Sequence, residues 1–282
     1  MTSIEHALSA ARQKLSELPH ASAKLEAEIL LAETIGQSRS YLYTWPDRAL
    51  TSAQLNRFEK LLSRRYQGEP IAYITGHREF WSLDFAVSPA VLIPRPETER
   101  LVEIALQHLP EDQPATVADL GTGSGALALA LAHERPRCQI VATDSSADAL
   151  AIAEHNRQIL KLSNVQLLPG CWFEPLTGRR FNVIVSNPPY VAEGDPHLLQ
   201  GDLCFEPAQA LIAGPDGLKA IRDIINAAPE HLKEGGWLML EHGYNQGGAV
   251  MELLTQRGFK QVYCYQDYGE RERATIGQLA GG

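Results

Sequence analysis

The first part of the chain places its apolar side chains at helical spacing. Three stripes recur every three or four residues, as one face of an α-helix requires. They consist of Ile4, Leu8, Ala11, Leu15 and Leu18, then Leu25, Ile29, Leu30 and Ile35, then Leu55, Phe58, Leu61 and Leu62. Thr51 and Gln54 have the spacing of a capping box at the start of the third stripe. This pattern predicts helices throughout residues 1–66 and a small helical domain over residues 1–68.

The next stretch, residues 69–93, changes in character. It is rich in β-branched and aromatic residues, and Gly76 and Pro89 interrupt it. Such a run between turn residues is typical of a β-hairpin. We therefore expect residues 69–93 to form a hairpin that links two domains.

From residue 115 onward, strand-like and helix-like patterns alternate. The predicted strands are TVADL, QIVATD, VQLL, FNVIVS, GWLMLEH, KQVYCYQ and RATIGQ, and helical patterns such as SGALALALAHE and DGLKAIRDIINAAPEHL lie between them. Alternation of this kind predicts an α/β fold, with a mostly parallel sheet covered by helices on both faces. Residues 94–282 are expected to form this domain.

Composition excludes several classes of protein. The most apolar run, ALALALA at 126–132, is far shorter than the roughly 20 residues needed to span a bilayer. The N-terminus has no continuous apolar stretch, so no signal peptide is predicted. The four cysteines form no CxxC pair, which favours buried thiols in a reducing compartment over a metal site or disulfides. We expect a monomeric cytoplasmic protein without a metal and without a membrane partner.

Charge is distributed unevenly along the chain. The net charge is −9, and all of the excess negative charge lies after residue 80. An acidic domain is repelled by phosphate backbones, so direct nucleic-acid binding is not expected. The N-terminal part, which is nearly neutral, is the better candidate for docking a partner.

A glycine-rich turn follows the first predicted strand of the α/β domain. It reads Asp119-Leu120-Gly121-Thr122-Gly123-Ser124-Gly125. Glycines there permit a tight turn and a close approach of the backbone to a ligand. The spacing also satisfies a loose dinucleotide fingerprint, so a nicotinamide dehydrogenase stays open at this point.

Two further candidates follow the next two strands. Asp144 ends the second strand, where its carboxylate could accept both hydroxyls of a ribose or simply cap a helix. Trp172 follows the third strand, where its ring could flank an adenine or belong to the core. Both lie at the carboxyl edge of the predicted sheet, where open α/β sheets bind ligands.

The fourth strand ends in Asn187-Pro188-Pro189-Tyr190. The two prolines cannot donate backbone hydrogen bonds and hold the segment extended, so an amide, free carbonyls and an aromatic ring are presented together. A plain strand-terminating turn is the alternative reading. Because the loops after all four strands converge on one crevice, the set suits S-adenosylmethionine as its ligand.

DLGTGSG followed by NPPY resembles class I methyltransferases that act on planar, conjugated nitrogens. The chain also resembles the HemK/PrmC family in PIAYITGHREF, in LIPRPETE at 92–99, in ALIAGPDGLKAIRDII at 210–225 and in LMLEHG at 238–243. One departure is Trp81-Ser82 after GHREF, where many relatives have an aromatic residue followed by glycine. The resemblance covers residues 68–282 and implies a Rossmann-like, seven-stranded S-adenosylmethionine-dependent methyltransferase fold.

The resemblance also implies an activity and a set of site residues. The activity is methylation of the side-chain nitrogen of the glutamine in the Gly-Gly-Gln loop of peptide chain release factors, with S-adenosylhomocysteine as the second product. The cofactor residues carried over are Gly121, Thr122, Gly123, Ser124, Gly125, Asp144, Trp172 and Asn187. The glutamine is placed on Asn187, Pro188, Pro189 and Tyr190, with Asn187 and Pro188 accepting its N–H groups. No general base is implied, since the methylated amide loses its proton readily to water.

Other functions stay open on the sequence alone. Adenine amino-group methylation of nucleic acid uses the same bracket on a flipped base, and a ribosomal protein could carry the glutamine. A non-catalytic S-adenosylmethionine-binding module is a further class. The roles of Arg95, Glu97 and Glu241 are not assigned by the sequence.

Overall fold

The computed structural model describes residues 2–18 and 22–281. Residues 19–21, which fall within the stretch predicted to be helical, lie outside the described residues, as do Met1 and Gly282. The chain divides into two compact units. One comprises Met1–His77 together with Pro196–Phe205, and the other comprises Arg78–Asp195 together with Glu206–Gly282.

The first unit is helical. Its helices are α1 (Ile4–Leu15), α2 (Ala23–Ile35), α3 (Arg39–Thr44), α4 (Ser52–Tyr66) and α5 (Ile71–Thr75). The predicted capping box is confirmed, with Thr51 and Gln54 each bonding the other's backbone at the start of α4. The stripe predicted for α2 is wrong at Leu25, which is 40% exposed, because the buried face of that helix is centred on Leu30 and Leu31.

The predicted hairpin is confirmed over a shorter range. Helix α5 occupies the start of the stretch, and only β1 (His77–Phe80) and β2 (Leu83–Ala86) pair as strands. Trp81 and Ser82 form the turn with φ of 54° and 58°. Positive φ at both central residues suits the twist of a two-residue hairpin. Their backbone N–H groups are held by the carboxylates of Glu99 and Glu79, which stabilises the strained turn.

The second unit contains a seven-stranded sheet. Its strands are β3 (Thr116–Leu120), β4 (Gln139–Asp144), β5 (Val165–Pro169), β6 (Phe181–Ser186), β7 (Leu232–Glu241), β8 (Phe259–Gln266) and β9 (Glu272–Leu279). They lie in the order β5-β4-β3-β6-β7-β9-β8, and only the pairings made by β9 are antiparallel. The chain runs outward from β3 to β5 and then returns to β6 on the other side of β3. The switch point, where such sheets bind ligands, therefore lies between β3 and β6.

Helices cover both faces of this sheet. They are α6 (Glu99–His108), α7 (Ala126–Glu134), α8 (Ala147–Ile159), α9 (Lys219–His231) and α10 (Gly247–Gln256). The ALALALA run forms α7 and is buried along its whole length. Residues of α6 and α7 pack in one core cluster, and residues of α9 and α10 pack in a second cluster on the other face. The predicted mostly parallel sheet between two helical layers is confirmed.

The exposure of the four cysteines and the length of the apolar helices can be compared with the predictions. Cys138 is buried and Cys264 half-buried, but Cys171 and Cys204 are exposed, so the prediction of buried thiols is wrong for these two. Cys171 lies in the bend after β5 and Cys204 in the short 3₁₀ helix Gly201–Phe205, and neither position carries a periodic burial signal in the sequence. Over the described part of the chain, no helix is long and apolar enough to cross a membrane.

Candidate active site

A cleft opens at the carboxyl ends of β3, β4, β5 and β6. The predicted residues that line it are Gly121, Thr122, Gly123, Ser124, Asp144, Trp172, Asn187 and Pro189. Gly125, Pro188 and Tyr190 are not among its lining residues. Residues of the segments 90–98 and 207–210 also line it, together with residues at the starts of α7 and α8 and beside Asp144 and Trp172.

The glycine turn after β3 is held by backbone bonds. The N–H groups of Gly121 and Thr122 both bond the Thr143 carbonyl oxygen at 2.9 Å. Gly121 has φ of 72°, and a Cβ there would lie 3.0 Å from Cζ3 of Trp172. Glycine is therefore required at position 121 both by the left-handed backbone and by the ring packed over it.

Gly125 acts behind the turn, where it precedes α7 with φ of 86°. A Cβ there would lie 2.9 Å from Cδ1 of Leu129 and 3.3 Å from Ala153. Its role is close packing of the helix start. Asn156, which is buried on α8, donates to the Ser124 carbonyl oxygen at 2.9 Å and so holds the glycine turn in place. Asn156 could not be recognised from the sequence, where it is only a polar residue in a helix.

Asp144 ends β4 beside this turn. Its Oδ2 accepts the Gly123 N–H at 2.8 Å, and its Oδ1 accepts the Ser146 N–H at 2.9 Å. Each carboxylate oxygen has further acceptor capacity. The side chain lines the cleft with two fixed oxygens, an arrangement that can receive a pair of neighbouring hydroxyls.

Trp172 forms an apolar wall of the cleft. The residue has φ of 47°, and its carbonyl oxygen accepts the Thr143 hydroxyl at 3.0 Å. This bond ties the segment after β5 to the end of β4. The indole is half-buried against the second core cluster and stays open to the cleft, as a surface for a flat aromatic group would be.

Asn187 follows β6 on the opposite side of the cleft. Its Nδ2 donates to the Thr98 hydroxyl oxygen at 3.2 Å. Its Oδ1 makes no hydrogen bond within the described part of the chain and lies on a residue that lines the cleft. Pro188 is buried behind it. The amide thus offers an acceptor oxygen to whatever occupies the cleft.

The Tyr190 ring packs on the second core cluster. Its hydroxyl donates to Oε1 of Glu241 at 3.3 Å, and burial raises the tyrosine pKa. The hydroxyl therefore stays protonated and acts as a donor to the carboxyl at the end of β7. The substrate-binding role expected of Tyr190 stays a prediction, since the residue does not line the cleft.

Thr98 is a second residue at the site that could not be recognised from the sequence. It lies in the short 3₁₀ helix Pro96–Thr98, within LIPRPETE, and is 4% exposed. The sequence leaves the roles of Arg95 and Glu97 in that motif unassigned, and in the structure its threonine is the residue that bonds Asn187. The signal that the sequence offered for Thr98 was a β-branched polar residue beside two charged residues, in a loop that its prolines make rigid.

Arg95 and Glu206 form an ion pair at the same wall. The guanidinium donates to Oε2 of Glu206 at 2.5 Å, and Oε1 of that buried carboxylate accepts the Ile93 N–H at 3.2 Å. A buried charge that is paired and bonded to backbone holds its partners in place. The pair thus holds the segment around Ile93 and Arg95, while Glu97 is exposed.

Two buried carboxyls stand behind the cleft. Burial raises the pKa of Asp119 to about 7, against the lowering effect of its hydrogen bond from Thr122 at 2.6 Å. Burial also raises the pKa of Glu241 to about 7, while contacts with Thr98, Arg273 and Tyr190 lower it and the charge of Glu97 raises it. Among the described residues no cluster of three metal-ligating side chains occurs.

The fold and the site together define a class of enzyme. A seven-stranded sheet with its ligand cleft at the β3–β6 switch point, a glycine turn after β3 and Asn-Pro-Pro-Tyr after β6 make this a class I methyltransferase. Solved structures agree on the fold. A methyltransferase from Pyrococcus furiosus is similar with a TM-score of 0.54 at 18% identity, over 79% of this chain and 99% of its own. A T. thermophilus 16S rRNA N2 G1207 methyltransferase in complex with AdoMet and guanosine is similar with a TM-score of 0.54 at 20% identity, over 72% of this chain and 49% of its own.

The family follows from the sequence comparisons. The PrmC N-terminal domain matches residues 6–76, and the methyltransferase small domain matches residues 100–214. The release factor glutamine methyltransferase of Pseudomonas aeruginosa is 54% identical over 95% of this chain and 97% of its own length. That of Escherichia coli is 48% identical over 95% of this chain and 96% of its own length. The chain belongs to the release factor glutamine methyltransferase family.

Proposed function

We propose that the protein transfers the methyl group of S-adenosylmethionine to the side-chain amide nitrogen of the glutamine in the Gly-Gly-Gln loop of peptide chain release factors. The observation that carries the proposal is the Asn187 amide, whose Nδ2 is tied to Thr98 and whose Oδ1 is open at the cleft wall. Relatives named for this activity match nearly the whole chain. S-adenosylhomocysteine would be the second product.

The cleft fits the methyl donor. The turn from Gly121 to Ser124 permits close backbone approach, Asp144 offers two fixed acceptor oxygens, and Trp172 offers an apolar face. These are the partners that an amino-acid end, a ribose and an adenine would need. When bound, S-adenosylmethionine supplies a methyl group attached to a positively charged sulfur. That methyl group is electrophilic enough to react with a weak nucleophile.

The residues after β6 would then orient the acceptor. A glutamine amide nitrogen is a poor nucleophile because its lone pair is delocalised into the carbonyl. Asn187 Oδ1 and the Pro188 carbonyl oxygen would each accept one N–H, so that the nitrogen pyramidalises toward the methyl group. Holding two reactants aligned can supply roughly 7–11 kcal/mol. The proton is lost to water after transfer, and no residue is needed to remove it first.

The helical unit is the proposed docking platform for the protein substrate. It is nearly neutral in charge, whereas the rest of the chain is acidic. It exposes Trp45, which is 56% accessible, and tryptophan is a frequent anchor at protein interfaces. We expect Trp45→Ala to reduce methylation of intact release factor more than methylation of a short Gly-Gly-Gln peptide. Tyr263→Ala, an exposed aromatic on the other unit, serves as the control and should spare both substrates.

Mass spectrometry of candidate acceptors after incubation with labelled S-adenosylmethionine tests the function. The expected result is one added methyl group on the Gly-Gly-Gln glutamine of a release factor from the same organism. Methylation of a ribosomal protein instead, or of adenine in nucleic acid, would replace the proposed substrate with one of those. Cofactor binding without transfer to any acceptor would identify a binding module and reject the enzyme.

A further inference from the structure

The segment after β6 is held at its far end by two residues from other parts of the chain. The Tyr190 carbonyl oxygen accepts Nε2 of Gln246 at 3.0 Å, and Gly217 packs against the same carbonyl. We propose that Gly217 and Gln246 are positioning residues, which fix the segment 187–190 so that its acceptor oxygens hold the substrate amide in line with the methyl group. This inference rests on the proposed function and adds two residues that do not line the cleft.

The Asn-Pro-Pro-Tyr segment depends on outside donors because of its own composition. Its two prolines have no backbone N–H, so it lacks the donors that usually tie a loop to its neighbours. Its carbonyl oxygens are the backbone groups that remain for attachment. Asn187 is tied at one end through Nδ2 to Thr98, and the Tyr190 carbonyl is tied at the other end to Gln246. The Pro188 carbonyl, proposed to accept from the substrate, lies between these two ties.

The orientation of the Gln246 amide follows from its three partners. Oε1 accepts the Gly243 N–H at 2.8 Å, which identifies that atom as the oxygen. Nε2 therefore faces two carbonyl oxygens, that of Tyr190 at 3.0 Å and that of Asp216 at 3.4 Å. One side chain, directly before α10, thus joins the segment after β6 to the segment after β7 and to the turn before α9.

Gly217 allows the turn before α9 to lie directly against the Tyr190 peptide. It is buried and has φ of 72°. A Cβ at this position would overlap the Tyr190 carbonyl oxygen and would lie 2.9 Å from Nε2 of Gln246. Any residue other than glycine would therefore push the two segments apart and disturb the bond from Gln246. The absence of a side chain at 217 sets how closely the turn and the segment pack.

The chain next to Tyr190 is paired with the residues that lead into this turn. The Val191 N–H bonds the Leu211 carbonyl oxygen at 2.8 Å, and the Ala213 N–H bonds the Val191 carbonyl oxygen at 2.9 Å. This short parallel bridge fixes the direction in which the chain leaves the segment, and the turn at 214–217 then returns to Tyr190. A shift of the turn is therefore transmitted to the Asn-Pro-Pro-Tyr segment, because no free loop separates the two.

The first test compares two glycines in the same turn. Gly214 has φ of 75° and Gly217 has φ of 72°, so alanine strains the backbone similarly at both positions. The atom nearest to a Cβ at 214 is Cβ of Lys219 at 3.4 Å, which is an ordinary contact. We expect Gly217→Ala to slow single-turnover methyl transfer to a Gly-Gly-Gln peptide by about 10²-fold, the loss that a misplacement of about 1 Å causes. Gly214→Ala should retain the wild-type rate within a few-fold.

The second test removes only one bond of Gln246. Gln246→Glu keeps an acceptor for the Gly243 N–H but replaces the NH₂ that faces the Tyr190 carbonyl with an oxygen. Asn245→Asp adds the same charge at the neighbouring, exposed position and serves as the control. At saturating cofactor and peptide we expect Gln246→Glu to slow transfer by about 10-fold, the scale of one hydrogen bond, and Asn245→Asp to leave the rate unchanged. Cofactor affinity, measured by calorimetry, should equal that of the wild type in every variant.

A purely structural role of the two residues gives a different result. The variants would then unfold at a lower temperature, while the folded protein would transfer methyl at the wild-type rate, and this outcome overturns the proposal. Equal losses of rate for Gly217→Ala and Gly214→Ala also overturn it, as does a loss of cofactor affinity that matches the loss of rate. Should Gly217→Ala fail to fold, the comparison of Gln246→Glu with Asn245→Asp decides. Failure of the proposed function is distinguished by the wild-type protein, which would then leave the glutamine unmethylated.

Discussion

The two sides of the cleft are built in different ways. On the β3–β4 side, the turn from Gly121 to Ser124 is held by backbone hydrogen bonds. The N–H groups of its first two residues both bond the Thr143 carbonyl oxygen. On the β6–β7 side, Asn187 is held by a side chain, since its Nδ2 donates to the Thr98 hydroxyl. A site for a constant cofactor can be made from backbone, whereas the choice of an acceptor depends on which polar atom of a side chain faces the substrate. We therefore expect substitutions on the first side to affect binding and those on the second side to affect turnover.

The largest effect is expected from Asn187→Ala, which removes the acceptor oxygen at the second side. Turnover at saturating cofactor and acceptor should fall by at least about 10²-fold, the scale of one oriented contact in the transition state. Cofactor affinity should change little. Single-turnover methyl transfer gives the measurement, with Asn226→Ala, an exposed asparagine on α9, as the matched control. A wild-type rate for Asn187→Ala would mean that the segment after β6 is only a turn.

Asp144→Ala is expected to have the next largest effect, and on the first side. It removes the proposed acceptor of two ribose hydroxyls and also frees the N–H groups of Gly123 and Ser146. Binding of S-adenosylmethionine should weaken by roughly 1.5–3 kcal/mol, as for bonds to a charged group. Asp148→Ala removes the same charge from an exposed site nearby and should bind normally. Calorimetry that gave equal affinities for the two variants would reject the ribose role of Asp144. Binding of NAD would instead support a nicotinamide dehydrogenase.

Gly121→Ala separates packing from backbone strain on the same side. The new Cβ would meet the Trp172 ring at 3.0 Å, in addition to the cost of about 1–2 kcal/mol for a left-handed residue. Gly178→Ala has similar strain at φ of 75° but no atom within 4 Å of its Cβ. Thermal unfolding should show a loss for both variants, while cofactor affinity should fall only for Gly121→Ala. If both bind equally well, the indole does not shape the cofactor site.

The smallest expected effect is a change in the pH dependence of stability. Because burial raises the pKa of Asp119 and of Glu241 to about 7, the folded state holds protons that the unfolded chain has already released. Each carboxyl therefore lowers the free energy of unfolding as pH rises from about 4 to about 7, by at most about 1.4 kcal/mol per pH unit. Above pH 7 their contribution is constant.

Urea unfolding of wild type and Glu241→Gln between pH 5 and pH 8 checks this. The lowered pKa of buried His242 acts in the opposite direction in the same range, so the difference between the two proteins isolates Glu241. The variant should lose less stability than the wild type as pH rises. Parallel curves would show that Glu241 titrates as it does in the unfolded chain.

The sequence by itself determined the parts of the protein that are local along the chain. The alternation of strands and helices, the glycine turn and the Asn-Pro-Pro-Tyr segment are each contiguous, so their spacing and chemistry could be interpreted directly. The cleft brings together many of the residues predicted in this way. The length of the hairpin was overestimated, since the apolar residues at 71–75 form a helix once they have neighbours to pack on.

Only the tertiary structure decided which side chains support the site. Thr98 and Asn187 are 89 residues apart, and Tyr190 and Glu241 are 51 apart. Neither pair has a local pattern, because a hydrogen bond between distant segments leaves no periodicity in the sequence. The same reason hid Asn156 behind the glycine turn and paired Arg95 with Glu206. The residues that line the cleft could be predicted from the sequence because each belongs to a contiguous motif. The residues that hold them in place come from distant segments and could be identified only in the structure.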